Sequence, residues 1–150
     1  MYKKYLNDSK LADHIRLGVG IIIYYDYKLL LEHRFDCKKW GLIGGAVEIG
    51  ENTEDTAIRE CYEETGIILN KINLEFLGLY SDVNENRIIK YPDNCFHAID
   101  IIYKYNLNEN YSLKKSVESI ELTFFPFNRL PKDIVPPAKV PINDFIKNFN

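Results

Sequence analysis

The sequence lacks the marks of a secreted or membrane-embedded chain. Its three cysteines, Cys37, Cys61 and Cys95, are odd in number and never spaced as C-x-x-C, which indicates reduced thiols and no disulfide framework. The longest apolar stretch runs only from Val19 to Tyr25, far short of the roughly 20 residues that cross a bilayer. The opening residues, MYKKYLNDSK, have no apolar core and do not form a secretory signal. We therefore predict a cytoplasmic protein with no membrane partner.

An excess of basic residues is also missing. The chain has 19 Lys and Arg against 22 Asp and Glu, a formal net charge of −3, which gives no support to a broad nucleic-acid-binding face. The segment from Glu48 to Glu64 contains seven acids and one base, Arg59, and so carries a charge of −6. This concentration of carboxylates points to a bound cation.

The composition is that of one globular domain over residues 1–150. A hydrophobic fraction of 46% and a charged fraction of 27% are ordinary values for such a domain. The pattern predicts a mixed α+β fold with the following strands: 15–25, 28–34, 74–83, 95–105 and 120–125. It predicts an amphipathic helix over 2–13, a central helix over 53–65, and a last helix from Pro141 to about Asn148. Residues 84–94 are expected to form a polar working loop, and the proline-rich tail 126–141 an irregular strap.

The central helix has the clearest signals. Asn52 or Thr53 can cap its start, and Gly66 is placed to end it. At about 100° per residue, Glu60, Glu63 and Glu64 fall on one stripe of this helix. No lysine relieves their repulsion, which costs roughly 0.2–0.5 kcal/mol per pair, and the negative end of the helix dipole adds to it. A solvated acidic face is one interpretation; a hard divalent cation that offsets the repulsion is the other, and Mg²⁺ suits it best.

This segment resembles the Nudix box, G-x5-E-x7-R-E-U-x-E-E-x-G-U, in which U is apolar. The matching positions are Gly45, Glu51 and the run Arg59-Glu60-Cys61-Tyr62-Glu63-Glu64-Thr65-Gly66-Ile67. The flanking segments HRFDCKKWGLIGGAVEIGE and ESIELTFFPFNRLP also resemble this family, so the likeness covers most of residues 15–135. Two positions depart from the pattern: Ile43 stands where proline is frequent, and Cys61 where an aliphatic residue or alanine is more common. The resemblance implies an α/β/α sandwich around a mixed sheet, with the box as a loop–helix–loop.

The resemblance also implies a set of site residues. Glu60, Glu63 and Glu64, with the Gly45 carbonyl, would ligate Mg²⁺, for which Mn²⁺ could substitute. The base that deprotonates the attacking water would be one of these carboxylates, Glu63 or Glu60, or a glutamate farther along the chain. For that later glutamate we choose Glu118, with Glu121 as the alternative. Glu51 and Arg59 would hold the loop and the helix together.

The activity expected is Mg²⁺-dependent hydrolysis of the diphosphate bond in a nucleoside diphosphate linked to another moiety, such as ADP-ribose or a nucleotide sugar. The length of the loop before Cys95 favours a substrate with a bulky second half. Arg34, Arg87 and Lys90 are candidates to bind substrate phosphate, with plain surface charge as the alternative. A (deoxy)nucleoside triphosphate pyrophosphatase is the second enzyme candidate, and a non-catalytic nucleotide-sensing module is the candidate from another class. The partner expected is a small nucleotide, and the resemblance implies that a homodimer is common.

Overall fold

A nine-stranded mixed sheet lies between two helices in a computed structural model that describes residues 2–149. The helices are α1 (Thr53–Thr65) and α2 (Pro136–Lys147). The strands are β1 (Lys4–Leu6), β2 (His14–Tyr25), β3 (Lys28–Arg34), β4 (Trp40–Gly41), β5 (Ile43–Ala46), β6 (Glu75–Tyr80), β7 (Ile88–Lys90), β8 (Cys95–Asn106) and β9 (Ser119–Pro126). Single 3-10 turns occur at Ser9–Leu11, Lys71–Asn73 and Val83–Glu85. The predicted α+β class, with helices on both sides of a mixed sheet, is confirmed.

Strand β2 organises the sheet. It pairs in parallel with β8 from His14 to Tyr24 and antiparallel with β3 and β5. The main strand order is β1-β7-β8-β2-β3-β4, and β5, β6 and β9 join it through β2, β8 and β3. From Gly18 to Ile23 both faces of β2 are covered, so this part of the strand is apolar without alternation, whereas its first four residues are exposed and alternate. Val19, Ile21 and Ile23 belong to the core under α1, and Ile22 to the core under α2.

Helix α1 has the predicted bounds and caps. The side chain of Asn52 accepts a hydrogen bond from the Asp55 N–H at 2.8 Å, which satisfies one of the unpaired donors of the first turn. At the other end, Gly66 has a left-handed backbone with φ of 78°, a conformation that glycine adopts without a Cβ penalty. Ala57 and Cys61 are fully buried against the sheet. The stripe of Glu60, Glu63 and Glu64 therefore lies on a different side of the helix from these two residues.

The helix predicted over residues 2–13 is wrong. Residues Lys4–Leu6 form β1, which pairs antiparallel with β7, Lys4 opposite Lys90 and Leu6 opposite Ile88. The polar stretch 84–94 is therefore not a free loop, because β7 lies within it. Pairing between these two distant segments decides the conformation of both, and no local pattern in the sequence records it. The strand predicted over 74–83 is shorter, and ends at Tyr80.

The last helix begins five residues earlier than predicted. Pro136 and Pro137 occupy its first turn. Backbone N–H groups in the first turn have no partner within the helix, so proline, which lacks the N–H, loses no hydrogen bond there. Pro141 lies inside the helix and cannot donate to the carbonyl four residues before it, that of Pro137. Arg87 Nη2 donates a hydrogen bond to this carbonyl at 2.8 Å. The tail is thus an irregular strap only up to residue 135.

Within residues 2–149, neither helix is long and apolar enough to cross a membrane.

Replacing Phe145 by alanine should lower the free energy of unfolding by about 3–5 kcal/mol, because the change leaves a cavity where α2 meets the sheet. The Phe145 ring is buried, and its centroid lies 4.9 Å from that of Tyr24 and 5.5 Å from that of Phe127. Urea unfolding measures the loss. Phe76→Ala is the control, because Phe76 is 62% exposed and its loss should cost well under 1 kcal/mol; equal losses would contradict the packing described.

Candidate active site

A cleft of about 430 Å³ opens between the sheet, the start of α2 and the edge formed by β1 and β7. Gly18 and Gly20 of β2 form part of its floor, so the ligand space reaches the sheet backbone. Glu60 and Glu64 of α1 lie at one end. The rest of the wall includes cationic and aromatic side chains: Lys3, Tyr5, Arg16, Arg34, Tyr91 and Phe96. One cavity therefore contains the two carboxylates of α1 together with cationic and aromatic side chains.

The acidic end depends on the two glycines of β5. The carboxylate of Glu60 lies against Gly45, in the space that a Cβ would fill. The buried carboxylate of Glu64 accepts a hydrogen bond from the Gly44 N–H at 3.2 Å. A side chain at Gly44 would overlap the Val19 carbonyl. Gly45 therefore allows the close approach of β5 to α1, and Gly44 the close pairing of β5 with β2, and together they bring the two carboxylates next to the β5 backbone.

Burial and mutual repulsion make these carboxylates hard to ionise. Burial raises the pKa of Glu64 well above its ordinary value, and the charges of Glu32 and Glu60 raise it further. Burial also raises the pKa of Glu60, with a contribution from Glu63, while Arg59 opposes the shift. A site that gathers negative charge away from water gains stability when a cation is added.

Glu63 is placed differently from the other two acids of the stripe. Its side chain is 55% exposed, and it pairs with Arg59 Nη1 at 3.3 Å. Over residues 2–149, no three Asp, Glu, His or Cys side chains converge closely enough to enclose a metal ion by themselves. The donors that do converge, the two carboxylates and the backbone at Gly45, still suit Mg²⁺, which uses few protein carboxylates and keeps water and phosphate oxygens as its other ligands.

Arg59 connects the loop, the sheet and the helix. Its Nε and Nη2 donate to the two oxygens of Glu51 at 2.6 and 3.0 Å. Nη2 also reaches the Ala46 carbonyl at 3.2 Å, and Nη1 donates to Glu60 at 2.9 Å. The hydrogen bonds that Arg59 donates to Glu51 are the largest cause that lowers the pKa of Glu51 to about 2. The geometry matches the holding role expected for Glu51 and Arg59, and it orients Glu60 at the cleft.

The two glutamates proposed as a later base lie in different places. Glu118, just before β9, lines the cleft and is exposed. Glu121 lies within β9, outside the lining of the cleft, and accepts a hydrogen bond from Thr123. Of the two, the structure brings only Glu118 to the candidate site.

The three candidate phosphate-binding residues also separate. Arg34 lines the cleft but is held by two carboxylates, that of Asp36 through two hydrogen bonds at 2.8 and 3.0 Å and that of Glu32 at 3.1 Å. Arg87 is completely buried, with Glu85, Asp100 and the Pro137 carbonyl as partners, so the expectation that it meets phosphate directly is wrong. Lys90 is exposed and lies outside the lining of the cleft, so the structure does not bring it to the site, and its role stays a prediction.

Sequence reasoning missed Glu32, which lies in β3 behind Glu64. Its side chain is buried and accepts hydrogen bonds from Ser119 Oγ at 2.5 Å and from Arg34. Burial raises its pKa, and the charge of Glu118 adds to the shift. One signal was present: Glu32 directly follows the three leucines of β3, on the same face as Leu30, which packs under α1.

Lys3 and Tyr5 were missed because residues 2–13 were assigned to a helix. As part of the β1 segment they reach the cleft, where Lys3 Nζ lies 5.2 Å from the centre of the Tyr5 ring and 3.7 Å from Asp36. Burial and the neighbouring charge of Arg34 lower the pKa of Lys3 to about 8. No pattern within the first ten residues predicts this placement.

Comparison with known proteins agrees with the sequence pattern. The family model described as NUDIX domain matches residues 14–145. The chain is 33% identical to ADP-ribose pyrophosphatase from Methanocaldococcus jannaschii, over 97% of this chain and 81% of that protein. It is 29% identical to a Bacillus subtilis protein provisionally named 8-oxo-dGTP diphosphatase, over 83% of this chain and 75% of that one.

Solved structures show the same fold at low identity. A MutT NUDIX hydrolase from Burkholderia pseudomallei superposes with a TM-score of 0.73 at 23% identity, over 88% of this chain and 98% of that chain. The NUDIX domain of Shewanella oneidensis NrtR, solved with ADP ribose, superposes with a TM-score of 0.69 at 16% identity, over 95% and 94%.

The carboxylate pair makes a testable link between pH, divalent metal and stability. In the unfolded chain Glu64 regains its ordinary pKa of 4.5, whereas burial raises that pKa in the fold. The folded metal-free protein therefore binds the proton more tightly, and its free energy of unfolding should fall as the pH rises above about 4.5. Mg²⁺ binds the ionised form, so it should raise the Tm more at pH 8 than at pH 5.

Thermal unfolding in EDTA and in Mg²⁺ at both pH values measures this difference. Glu64→Gln should remove most of the metal-induced rise at pH 8 and leave the protein folded. An equal rise in Tm at the two pH values would contradict the carboxylate pair as the metal-binding element.

Proposed function

The chain belongs to the Nudix family of hydrolases, and on that premise we propose that it cleaves the diphosphate bond of a nucleoside diphosphate linked to a second moiety, of the ADP-ribose or nucleotide-sugar type. As a member of this family it acts on phosphoric anhydride bonds. The observation that carries the proposal is that one cleft is lined by the two carboxylates of α1 and by cationic and aromatic side chains. The relative from M. jannaschii, named ADP-ribose pyrophosphatase and matched over nearly the whole chain, supports the same substrate class.

Each end of the cleft has a part in the proposed reaction. Glu60 and Glu64, with the Gly45 backbone, would hold Mg²⁺, and Glu63 would contribute from the rim. A bound divalent cation neutralises diphosphate oxygens and lowers the pKa of a water ligand. Arg34 and Lys3, which lie on the cleft wall, would attract the phosphates and position the bond to be broken. Because both cations are partly neutralised by Asp36, they would orient the phosphates without trapping the product.

Glu118 would accept the proton of the attacking water. Its carboxylate is exposed in the cleft, and the backbone around it is fixed by a hydrogen bond from the Phe35 N–H to its carbonyl at 3.0 Å. Glu32 and Ser119 lie behind it as a buried pair. The proton would pass from water to Glu118 as the new P–O bond forms, and the nucleoside monophosphate and the other phosphorylated half would leave.

Incubation with Mg²⁺ and a panel of substrates tests the function. The panel contains ADP-ribose, nucleotide sugars, dinucleoside polyphosphates and nucleoside triphosphates, and both products are identified. We expect preferential cleavage of ADP-ribose or a nucleotide sugar to a nucleoside monophosphate. Glu64→Gln should lower kcat by about 100-fold or more, whereas Asp55→Asn, an exposed change on the same helix, should leave kcat unchanged. No turnover of any compound would refute the proposal.

A triphosphate pyrophosphatase is the second candidate, because the B. subtilis relative carries an 8-oxo-dGTP diphosphatase name. Release of pyrophosphate from triphosphates, with no cleavage of ADP-ribose, would select this function over the first.

The base assignment is tested by a matched pair of variants on neighbouring glutamates. Glu118→Gln should lower kcat by about 100-fold with little change in KM, because the group acts on the proton and not on binding. Glu121→Gln, in β9 and outside the lining of the cleft, should retain the parent kcat. Steady-state kinetics with the substrate selected by the panel gives both values. A full kcat in Glu118→Gln would remove Glu118 from the mechanism.

A further inference from the structure

The floor of the cleft contains a carboxylate that the catalytic end does not use. Asp100 of β8 lies opposite Gly18 of β2 in the parallel register of the two strands. A Cβ at Gly18 would collide with Asp100 Oδ1, so the glycine leaves room for this oxygen at the surface of the sheet. Asp100 lines the cleft, and 26% of its side chain remains exposed.

The two oxygens of Asp100 have different surroundings. Oδ2 accepts a hydrogen bond from Arg87 Nη1 at 2.8 Å. Arg87 is itself fully buried and fixed by Glu85 at 3.2 Å and by the Pro137 carbonyl at 2.8 Å, so it holds the carboxylate in one orientation. Within residues 2–149 no side chain or backbone donor contacts Oδ1. Burial raises the pKa of Asp100, and the charge of Arg87 opposes this shift. In the ionised carboxylate Oδ1 can only accept hydrogen bonds, so it is open to a donor from water or from a ligand.

The walls beside Asp100 suit a flat aromatic ligand. Ile89, Phe96 and Ala98 form an apolar cluster with Tyr5 and Tyr91 packed against it, and all five line the cleft. The rings of Tyr91 and Phe96 are nearly parallel, with centroids 6.3 Å apart. Aromatic walls stack on nucleobases with little preference among them, so discrimination between bases has to come from polar groups. Arg16 lies over the Phe96 ring as a donor, and Asp100 is the acceptor on the same face of β8 as Phe96 and Ala98.

We propose that Asp100 is a specificity-determining residue, whose Oδ1 accepts a hydrogen bond from the exocyclic amino group of the substrate's nucleobase. The site then prefers a base that presents an amino group at that position, such as adenine, over one that presents a carbonyl, such as hypoxanthine. Arg87 acts as the positioning residue, because it fixes the carboxylate without reaching the ligand. This inference rests on the proposed function, and it names the part of the substrate that the cleft distinguishes.

Binding of three nucleoside monophosphates tests the proposal without turnover. Titration calorimetry in Mg²⁺ gives Kd for AMP, for IMP and for purine riboside 5′-monophosphate, which has no exocyclic group. We expect the parent protein to bind AMP about tenfold more tightly than either of the others, the effect of one hydrogen bond to a charged group. Equal affinity for AMP and purine riboside 5′-monophosphate would overturn the proposal with the parent protein alone.

Asp100→Asn should reverse the preference. The amide oxygen of the new side chain would accept from Arg87, and its NH₂ group would face the cleft and donate to the carbonyl of hypoxanthine, so IMP should bind more tightly than AMP. Glu85→Gln is the matched control, because Glu85 contacts the same Arg87 but does not line the cleft, and its ratio of the two Kd values should equal that of the parent.

Two results with the variants would overturn the proposal. An equal loss of affinity for AMP and IMP in Asp100→Asn would place the contact elsewhere on the nucleotide, such as a ribose hydroxyl. A changed ratio in Glu85→Gln would show that the effect passes through the buried charge network and not through the cleft. If the base preference appears but no compound of the substrate panel is cleaved, the proposed function fails and the base-recognition site stands.

Discussion

The acidic end of the cleft depends on the hydrogen bonds that the Arg59 guanidinium donates. It joins Glu51 of the loop, the Ala46 carbonyl of β5 and Glu60 of α1, three pieces of chain that would otherwise move independently. Gly45 then lets β5 approach the helix closely enough to meet the Glu60 carboxylate, while Gly44 allows β5 to pair closely with β2. The carboxylates are thus held close together although they repel one another. A bound cation can offset this repulsion without any rearrangement of the loop, β5 or α1.

The sequence was most informative where local chemistry decides the structure. Helix α1 could be predicted to the residue, because Asn52 and Gly66 act within one turn of the helix ends and the apolar spacing is regular. The Nudix spacing likewise indicated the family and the fold. Lys3 and Asp100 could not be found in this way, because each reaches the cleft through pairing between strands that lie far apart in the chain. Glu32 is buried and does not line the cleft, and only its position after the apolar residues of β3 marked it. The extent of the domain and the roles of the individual site residues stay predictions.

The two faces of strand β2 differ in character. Along β2, alternate positions carry large apolar side chains under α1, while Gly18 and Gly20 on the opposite face leave the backbone open to the cleft. The same strand therefore stabilises the fold on one side and makes room for a ligand on the other. A side chain at Gly18 would displace Asp100 Oδ1 in the cleft, whereas one at Gly20 would meet Ile102 of the core under α2.

Pro141 has a consequence for the order in which the protein can be completed. Because it leaves the Pro137 carbonyl free for Arg87, the charge network beneath the cleft floor includes a group from the last helix of the chain. During synthesis, β2, β7 and β8 emerge from the ribosome well before that helix does. Until the helix docks, the guanidinium lacks one of its partners, so the nascent chain can form most of its sheet while its binding surface is still unfinished.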